Sequence, residues 1–224
     1  MTNYNSFSDK IQRILDQSPA IRVYIRLGII NVRALAKYLI EERKIDADLD
    51  AVISAIRRYK IEPSETIFEK ALKVLMNYVS ISTKSSLVII ATIKDKEIQD
   101  LLPKFFSLIH YAQGETLRIV EADESIKIFI DEKNLEKILE YFPGKKIQYI
   151  HKHLAEININ LTEDVKHTPG VVALISNEFA MNGVNVVEVL SCFPEELWFV
   201  EEKDLLKAYK VISQLCQQKR IKMT

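Results

Sequence analysis

Residues 167–200 read HTPGVVALISNEFAMNGVNVVEVLSCFPEELWFV, and this stretch decides the fold. Thr168-Pro169-Gly170 marks the end of a strand and the start of a helix, because proline suits the first helical position, where an N–H group would have no partner anyway. The helix that follows carries apolar residues at helical spacing, namely Val171, Leu174, Ile175 and Phe179. Asn182-Gly183 ends this helix, since glycine adopts the left-handed backbone conformation without steric cost.

Two strands and a second helix complete the pattern. Val184–Leu190 and Leu197–Glu201 are predicted strands, separated by a break at Pro194. Asp204 can cap a last helix, whose apolar side is formed by Leu205, Ala208, Tyr209, Ile212 and Leu215. The predicted order is strand, helix, strand, strand, helix.

This order resembles an ACT domain, the small ferredoxin-like module that usually senses amino acids. The residues that carry the resemblance are Thr168-Pro169-Gly170-Val171, Asn182-Gly183-Val184-Asn185-Val186 and the run from Trp198 to Lys210. The chain departs from the family at its end, because only Lys219 to Thr224 remain to supply the usual closing strand.

A first copy of the same pattern precedes this one. Ile128–Leu135 (IFIDEKNL) matches Trp198–Leu205 (WFVEEKDL) at a constant offset of 70 residues, and a period of that length indicates two copies of one module. The first copy has no Thr-Pro-Gly, and Lys94–Glu97 stands at the corresponding turn. The serine-rich segment Ser80–Ser86 reads as the linker before it. We therefore predict an α+β protein with a helical domain (1–80), a degenerate ACT-like βαββαβ repeat (86–151) and a second ACT-like repeat that binds ligand (152–224).

The N-terminal region is predicted to be a helical bundle that resembles a helix-turn-helix domain. Asn31 caps one helix, and Leu49, Val52, Ile53 and Ile56 form the inner stripe of the next. Its opposite face carries the small residues Ala51, Ser54 and Ala55, which would let this helix lie in a DNA major groove.

The charge of this region allows two interpretations. Residues 1–60 hold eleven Lys/Arg and seven Asp/Glu in a chain whose formal net charge is zero, so a basic end precedes an acidic body. One interpretation is binding of double-stranded DNA; the residues expected to contact it are Arg33, Ser54, Arg57, Arg58 and Lys60. The other is a plain helical bundle whose arginines are solvated.

The resemblance also implies a ligand site in the second repeat. One wall would consist of the strand-to-helix turn, formed by Lys166, His167, Thr168, Pro169, Gly170 and Val171, whose N–H groups can bind a carboxylate. The other wall would consist of Asn185 and Val186, which in ACT domains often belong to a partner module. The alternative is that Thr-Pro-Gly is only a good turn and that the site is empty.

Strand Val184–Leu190 is apolar on both faces, although a ferredoxin-like sheet carries helices on one face only. The second face should meet another sheet, so we expect a homodimer. No stretch is apolar enough to span a membrane, and two cysteines without ligand spacing are typical of a cytoplasmic protein.

Catalytic and metal-binding patterns are missing from the sequence. His151 and His153 are expected on one face of an extended run without a third ligand, and carboxylates such as Glu195 and Glu196 lie in predicted turns. We therefore expect no catalytic residues, no cofactor and no metal.

The sequence thus predicts a regulatory protein that senses an amino acid or a similar small metabolite. The leading hypothesis is a transcriptional regulator that responds to this ligand. The alternative is a regulatory partner of an amino-acid biosynthetic enzyme, similar to the regulatory part of an aspartate kinase, that does not bind DNA.

Overall fold

The computed structural model of the 224-residue chain describes residues 7–26, 28–59, 67–78, 80–142 and 146–217. The chain divides into two compact units, Met1–Thr66 and Ile67–Thr224. Lys60 and the segment after Gln217 lie outside the described residues, and with them the closing strand sought at Lys219–Thr224. Within the described ranges, no helix combines the length and the apolar character needed to cross a bilayer.

The described part of the first unit is helical, as the sequence predicted. Its helices are α1 (Phe7–Asp16), α2 (Pro19–Arg26), α3 (Val32–Glu41) and α4 (Leu49–Arg58). The predicted cap of α3 is confirmed, because Asn31 Oδ1 accepts a hydrogen bond from the Ala34 N–H group at 3.0 Å. The apolar stripes of α1, α3 and α4 meet in one core, in which Leu15, Leu39 and Val52 are fully buried.

The second unit alternates strands and helices. Its elements are α5 (Ile67–Leu75), β1 (Ser80–Ile93), α6 (Lys96–Leu108), β2 (Leu117–Glu121), β3 (Ser125–Asp131), α7 (Leu135–Leu139), β4 (Ile147–Asn160), α8 (Val171–Met181), β5 (Val186–Cys192), β6 (Glu195–Glu201) and α9 (Leu205–Gln217). Within the described residues these six strands form one antiparallel sheet in the order β2-β3-β1-β4-β6-β5. The sequence repeat appears in it as an offset of 70 residues between β3 and β6 and between the starts of α7 and α9.

The two central strands serve both halves of the sheet. β1 and β4 each have 14 residues. The second part of β1, Leu87–Ile93, pairs with β3, whereas its first part, Ser80–Lys84, pairs with Glu156–Asn160 of β4. The segment that the sequence indicated as a linker is therefore a strand. It supplies the second half with the fourth strand that the sequence failed to find after α9.

A bulge lies where each central strand passes from one half to the other. Ser86 and His153 have positive φ angles of 56° and 59°, and the register shifts between Lys84 and Leu87 and again between Leu87 and Ile89. Bulges bend the strands that carry them and increase their twist. The sheet is therefore strongly curled.

Curling buries the face of the sheet that the helices do not cover. Phe129 of β3 and Phe199 of β6 contact each other across this face with ring centroids 4.6 Å apart, although two strands separate them in the sheet. Both rings are fully buried. Arg118 of β2 donates hydrogen bonds of 2.8 and 2.7 Å to Glu156 of β4 across the same face. The centre of this face is thus covered within one chain. β5, from which we predicted a homodimer, has no buried residue, and Val189 is 40% exposed, so the dimer stays a prediction.

Helices cover the other face of the sheet. α6 and α7 pack on the first half around Phe105, while α8 and α9 pack on the second half around Phe179 and Trp198. α5, which the sequence placed in the N-terminal region, packs with α8 and α9 in the second unit through Ala71 and Leu75. Ile67 and Phe68 at the start of α5 are 55% and 37% exposed.

Candidate functional site

A cavity of about 600 Å³ lies at the start of α8 in the second unit. Its first wall is the predicted one, because Lys166, Thr168, Gly170 and Val171 line it, and it continues along α8 to Ala173. The short 3-10 turn Glu163–His167 leads into this wall. The cavity is open to solvent, since Val172, which also lines it, is 41% exposed.

The start of α8 leaves its first N–H groups without a capping side chain. The N-cap residue is Gly170, with φ of 92°, and the first helical hydrogen bond runs from the Leu174 N–H group to the Gly170 carbonyl at 2.8 Å. Val171, Val172 and Ala173 therefore have no acceptor one turn earlier in the helix. The Thr168 hydroxyl, which is close enough in sequence to cap the helix, donates instead to the Asp164 carbonyl at 2.8 Å. These amides form a positive helix end that faces a cavity.

Gly170 is required here for a second reason. Its backbone lies against α5, and a Cβ atom built on it would come within 2.4 Å of Ile67 Cγ2. Ile67 therefore closes the turn on one side, and the cavity opens on the other.

The second wall of the cavity differs from the predicted one. It is formed by the end of β5, the start of β6 and the turn between them, through Ser191, Phe193 and Glu196. Asn185 is exposed, and Val186 pairs with Val200 near the opposite end of β5. Ser191 lies five positions after Val186 along the strand, which is roughly 17 Å at the usual rise per residue. Asn185 and Val186 therefore do not lie beside the Thr-Pro-Gly turn of their own chain.

Glu196 is the functional candidate that sequence reasoning missed. The sequence placed it in a predicted turn, but it is the second residue of β6 and is only 6% exposed. Ser191 Oγ donates a hydrogen bond to Glu196 Oε1 at 2.7 Å. Glu196 Oε2 is buried without a hydrogen-bond partner among the described residues. The alternation of β6 could have indicated this burial, because alternate residues of a strand share a face and Glu196 is therefore on the same face as the buried Trp198 and Val200.

Two charged side chains of opposite sign line this cavity. Burial raises the pKa of the Glu196 carboxyl, and the hydrogen bond from Ser191 offsets part of that rise. Lys166 places Nζ 3.9 Å from the centroid of the Phe193 ring and 3.5 Å from Glu163 Oε1. His167 and Pro169 are exposed next to these groups, but among the described residues they do not contribute to the lining.

The residues predicted to bind DNA lie on α3 and α4 of the first unit. Arg33, Ser54, Arg57 and Arg58 are exposed. Ala55, which the prediction placed on the same free face, is only 6% exposed and belongs to the core that α1 shares with α4. Arg58 and Ala55 line a small cavity together with Ile11 of α1. α1 therefore packs against part of the surface that was expected to enter a major groove.

The two histidines between the repeats do not share a site. The positive φ of His153 interrupts the alternation on which the prediction rested. His151 Nε2 lies 2.8 Å from Glu201 Oε1, and His153 Nδ1 lies 3.3 Å from Glu132 Oε2. Over the part of the chain that the structure describes, no group of three or more His, Cys, Asp or Glu side chains has a metal-binding arrangement.

No protein-family model matches the sequence, and no curated protein matches it either. Solved structures do match the fold. Aspartate kinase from Clostridium acetobutylicum is similar with a TM-score of 0.52 at 20% sequence identity over 64% of this chain, and the match spans 35% of that enzyme. The regulatory subunit of aspartate kinase from Thermus flavus is similar with a TM-score of 0.50 at 14% identity, covering 62% of this chain and 98% of that subunit. At these identities the likeness shows the fold, which is the predicted ACT-like arrangement of helices and an antiparallel sheet.

Proposed function

We propose that the second unit is a regulatory module that binds an amino acid or a similar small carboxylate in the cavity at the start of α8. One observation carries the proposal: an uncapped helix end opens into a cavity of about 600 Å³. A ligand carboxylate can accept hydrogen bonds from the N–H groups of Val171, Val172 and Ala173, and the helix dipole favours its negative charge. Lys166 adds a positive charge on the same wall.

The fold supports a regulatory role. The Clostridium enzyme that it resembles is described as allosteric, and the Thermus flavus protein is a regulatory subunit. Each half of the sheet has four strands in the order expected of a ferredoxin-like module, which supports assigning both halves to that class. The alternative function from the sequence, a regulatory partner or regulatory part of an amino-acid biosynthetic enzyme, is therefore the one that we propose.

DNA binding is not part of this proposal. It was inferred from a face of small residues on α4, and Ala55 of that face is buried in the core shared with α1. Arg57 and Arg58 remain exposed, as surface arginines of a plain helical bundle would be.

A thermal-shift panel of the twenty standard amino acids tests ligand binding. Because the ligand binds only the folded protein, a concentration of a hundred times its dissociation constant should add about 2.7 kcal/mol to the free energy of unfolding. At least one amino acid should therefore raise the melting temperature by a few degrees.

Two tryptophan variants on α8 locate the binding. Ala173→Trp places a large side chain in the cavity and should abolish the shift. Asn177→Trp lies one turn further along the same helix at an exposed position and should leave it unchanged. A panel without any stabilising amino acid, or an equal shift in Ala173→Trp, contradicts the proposal.

A further inference from the structure

Glu196 is a buried carboxylate of which only one oxygen accepts a hydrogen bond from the described residues. Ser191 donates to Oε1 at 2.7 Å, and Oε2 has no donor among the described residues. A carboxylate that is only 6% exposed loses the hydration that would stabilise its charge. Such a group is costly to keep unless something else donates to it.

The position of Glu196 indicates where that donor comes from. Glu196 lines the cavity opposite the start of α8, so one wall presents N–H groups and Lys166 while the other presents a carboxylate. Lys166 itself is exposed, with its ammonium group against the Phe193 ring and near Glu163. The cavity therefore has one wall with positive groups and an opposite wall with a carboxylate.

We infer that the Glu196 carboxylate binds the ammonium group of the ligand and that Ser191 holds the carboxylate in position for it. The inference rests on the proposed function and narrows it to a ligand class. The site takes small zwitterions, in which an ammonium group accompanies the carboxylate, in preference to hydroxy acids, oxo acids or dicarboxylates. The raised pKa of Glu196 agrees with a carboxyl whose charge is stabilised only when a cation arrives.

Isothermal titration calorimetry of the full chain with Glu196→Gln tests this inference. The variant keeps the shape of the side chain and removes its charge. The matched control is Glu195→Gln, because Glu195 precedes Glu196 but accepts a hydrogen bond from Asn158 Nδ2 at 2.9 Å on the other face of β6. The probes are the amino acid that gives the largest thermal shift and its analogues in which hydrogen replaces each amino group in turn.

The wild type should bind the amino acid roughly 10- to 100-fold more tightly than the analogue that lacks the recognised ammonium group, as expected for a hydrogen bond between charged groups. Glu196→Gln should lose that discrimination and bind both ligands with the lower affinity, whereas Glu195→Gln should behave as the wild type. Ser191→Ala should weaken amino-acid binding to a smaller extent and leave the affinity for the analogue unchanged.

The possible failures are distinguishable. If the amino acid binds Glu196→Gln as tightly as the wild type, or if the wild type binds every deaminated analogue equally well, ligand binding stands and the role of Glu196 is refuted. If neither the amino acids nor their analogues bind the wild type, both the proposed function and this inference fail. Because glutamine removes an unpaired buried charge, we expect the unliganded variant to unfold at the same temperature as the wild type or a higher one, which a circular dichroism melt checks.

Discussion

Gly170 combines two constraints that only glycine meets together. Its φ of 92° lies in the left-handed region, and its Cα faces Ile67 of α5 so closely that an added Cβ would lie 2.4 Å from Cγ2. Gly114 has a similar φ of 74°, but nothing lies within 4 Å of the position that a Cβ atom would take there. A side chain would therefore meet only backbone strain at Gly114, but both backbone strain and steric overlap at Gly170.

Replacement of these glycines by alanine should show the difference. Gly114→Ala should lower the free energy of unfolding by about 1 kcal/mol, the cost of a left-handed backbone for a residue with a Cβ atom. Gly170→Ala should lose about 1 kcal/mol more, because the half-exposed Ile67 side chain must move. Urea denaturation measures both. Combining Gly170→Ala with Ile67→Ala should recover part of the additional loss, and equal losses in the two single variants would contradict the close approach.

At the residue scale the sequence predicted one wall of the cavity and not the Ser191–Glu196 wall that faces it within the same chain. Thr168-Pro169-Gly170 is readable as a turn because proline and glycine act on the local backbone, but the helix begins at Val171, so proline does not occupy its first position as predicted. Glu196 is not readable in the same way, because Pro194-Glu195-Glu196 looks like an exposed turn. Its burial depends on the strand alternation that it shares with Trp198 and on its pairing with Ser191 across the hairpin. The predicted wall at Asn185 does not lie beside this turn in the same chain, since a strand carries its two ends far apart, and it stays a prediction for a partner module.

Strand β1 is the element whose role changed most between sequence and structure. Its first part, Ser80–Lys84, pairs with β4 and closes the second half of the sheet. Ile81 is half-buried and packs against the core formed by α8, α9 and β4, whereas Ser82 is exposed. A linker would show no such difference between neighbouring residues.

Substitutions in this segment distinguish a strand from a linker. Ile81→Ala should lower the free energy of unfolding by about 2 kcal/mol, because it removes packed methyl groups from the core. Ser82→Ala should change it by less than about 0.5 kcal/mol, as an exposed substitution does. Chemical denaturation of the two variants measures this difference. If both variants were neutral, Ser80–Lys84 would not be part of the folded sheet.

The helices were predicted more accurately than this strand for a physical reason. Helix signals are local: Asn31 caps α3 and apolar residues recur every third or fourth position of α4. The first part of β1 is rich in serine, and its partner, Glu156–Asn160, lies more than seventy residues later in the chain. A strand that owes its stability to such a distant partner leaves little mark on its own sequence.

At the scale of the whole second unit, the two copies of the repeat are not separate modules placed side by side. They share β1 and β4, and the bulges at Ser86 and His153 bend the common sheet until Phe129 and Phe199 meet. The repeat offset was readable from the sequence. That β1 and β4 each extend into both halves of the sheet was not, because each copy could equally have had a fourth strand of its own. The centre of the face that looked free for a second chain is consequently covered within one chain, while β5 has no buried residue.

The central claim is that this unit binds an amino acid between the start of α8 and the β5–β6 turn. Hydrogen–deuterium exchange of the full chain, followed by mass spectrometry with and without the amino acid that gives the largest thermal shift, tests it most directly. We predict slower exchange in peptides that cover Val165–Ala173 and Ser191–Glu196, because the ligand accepts hydrogen bonds from the first amides of α8 and bridges to Glu196. Protection confined to other parts of the chain, with both of these segments unchanged, would contradict it.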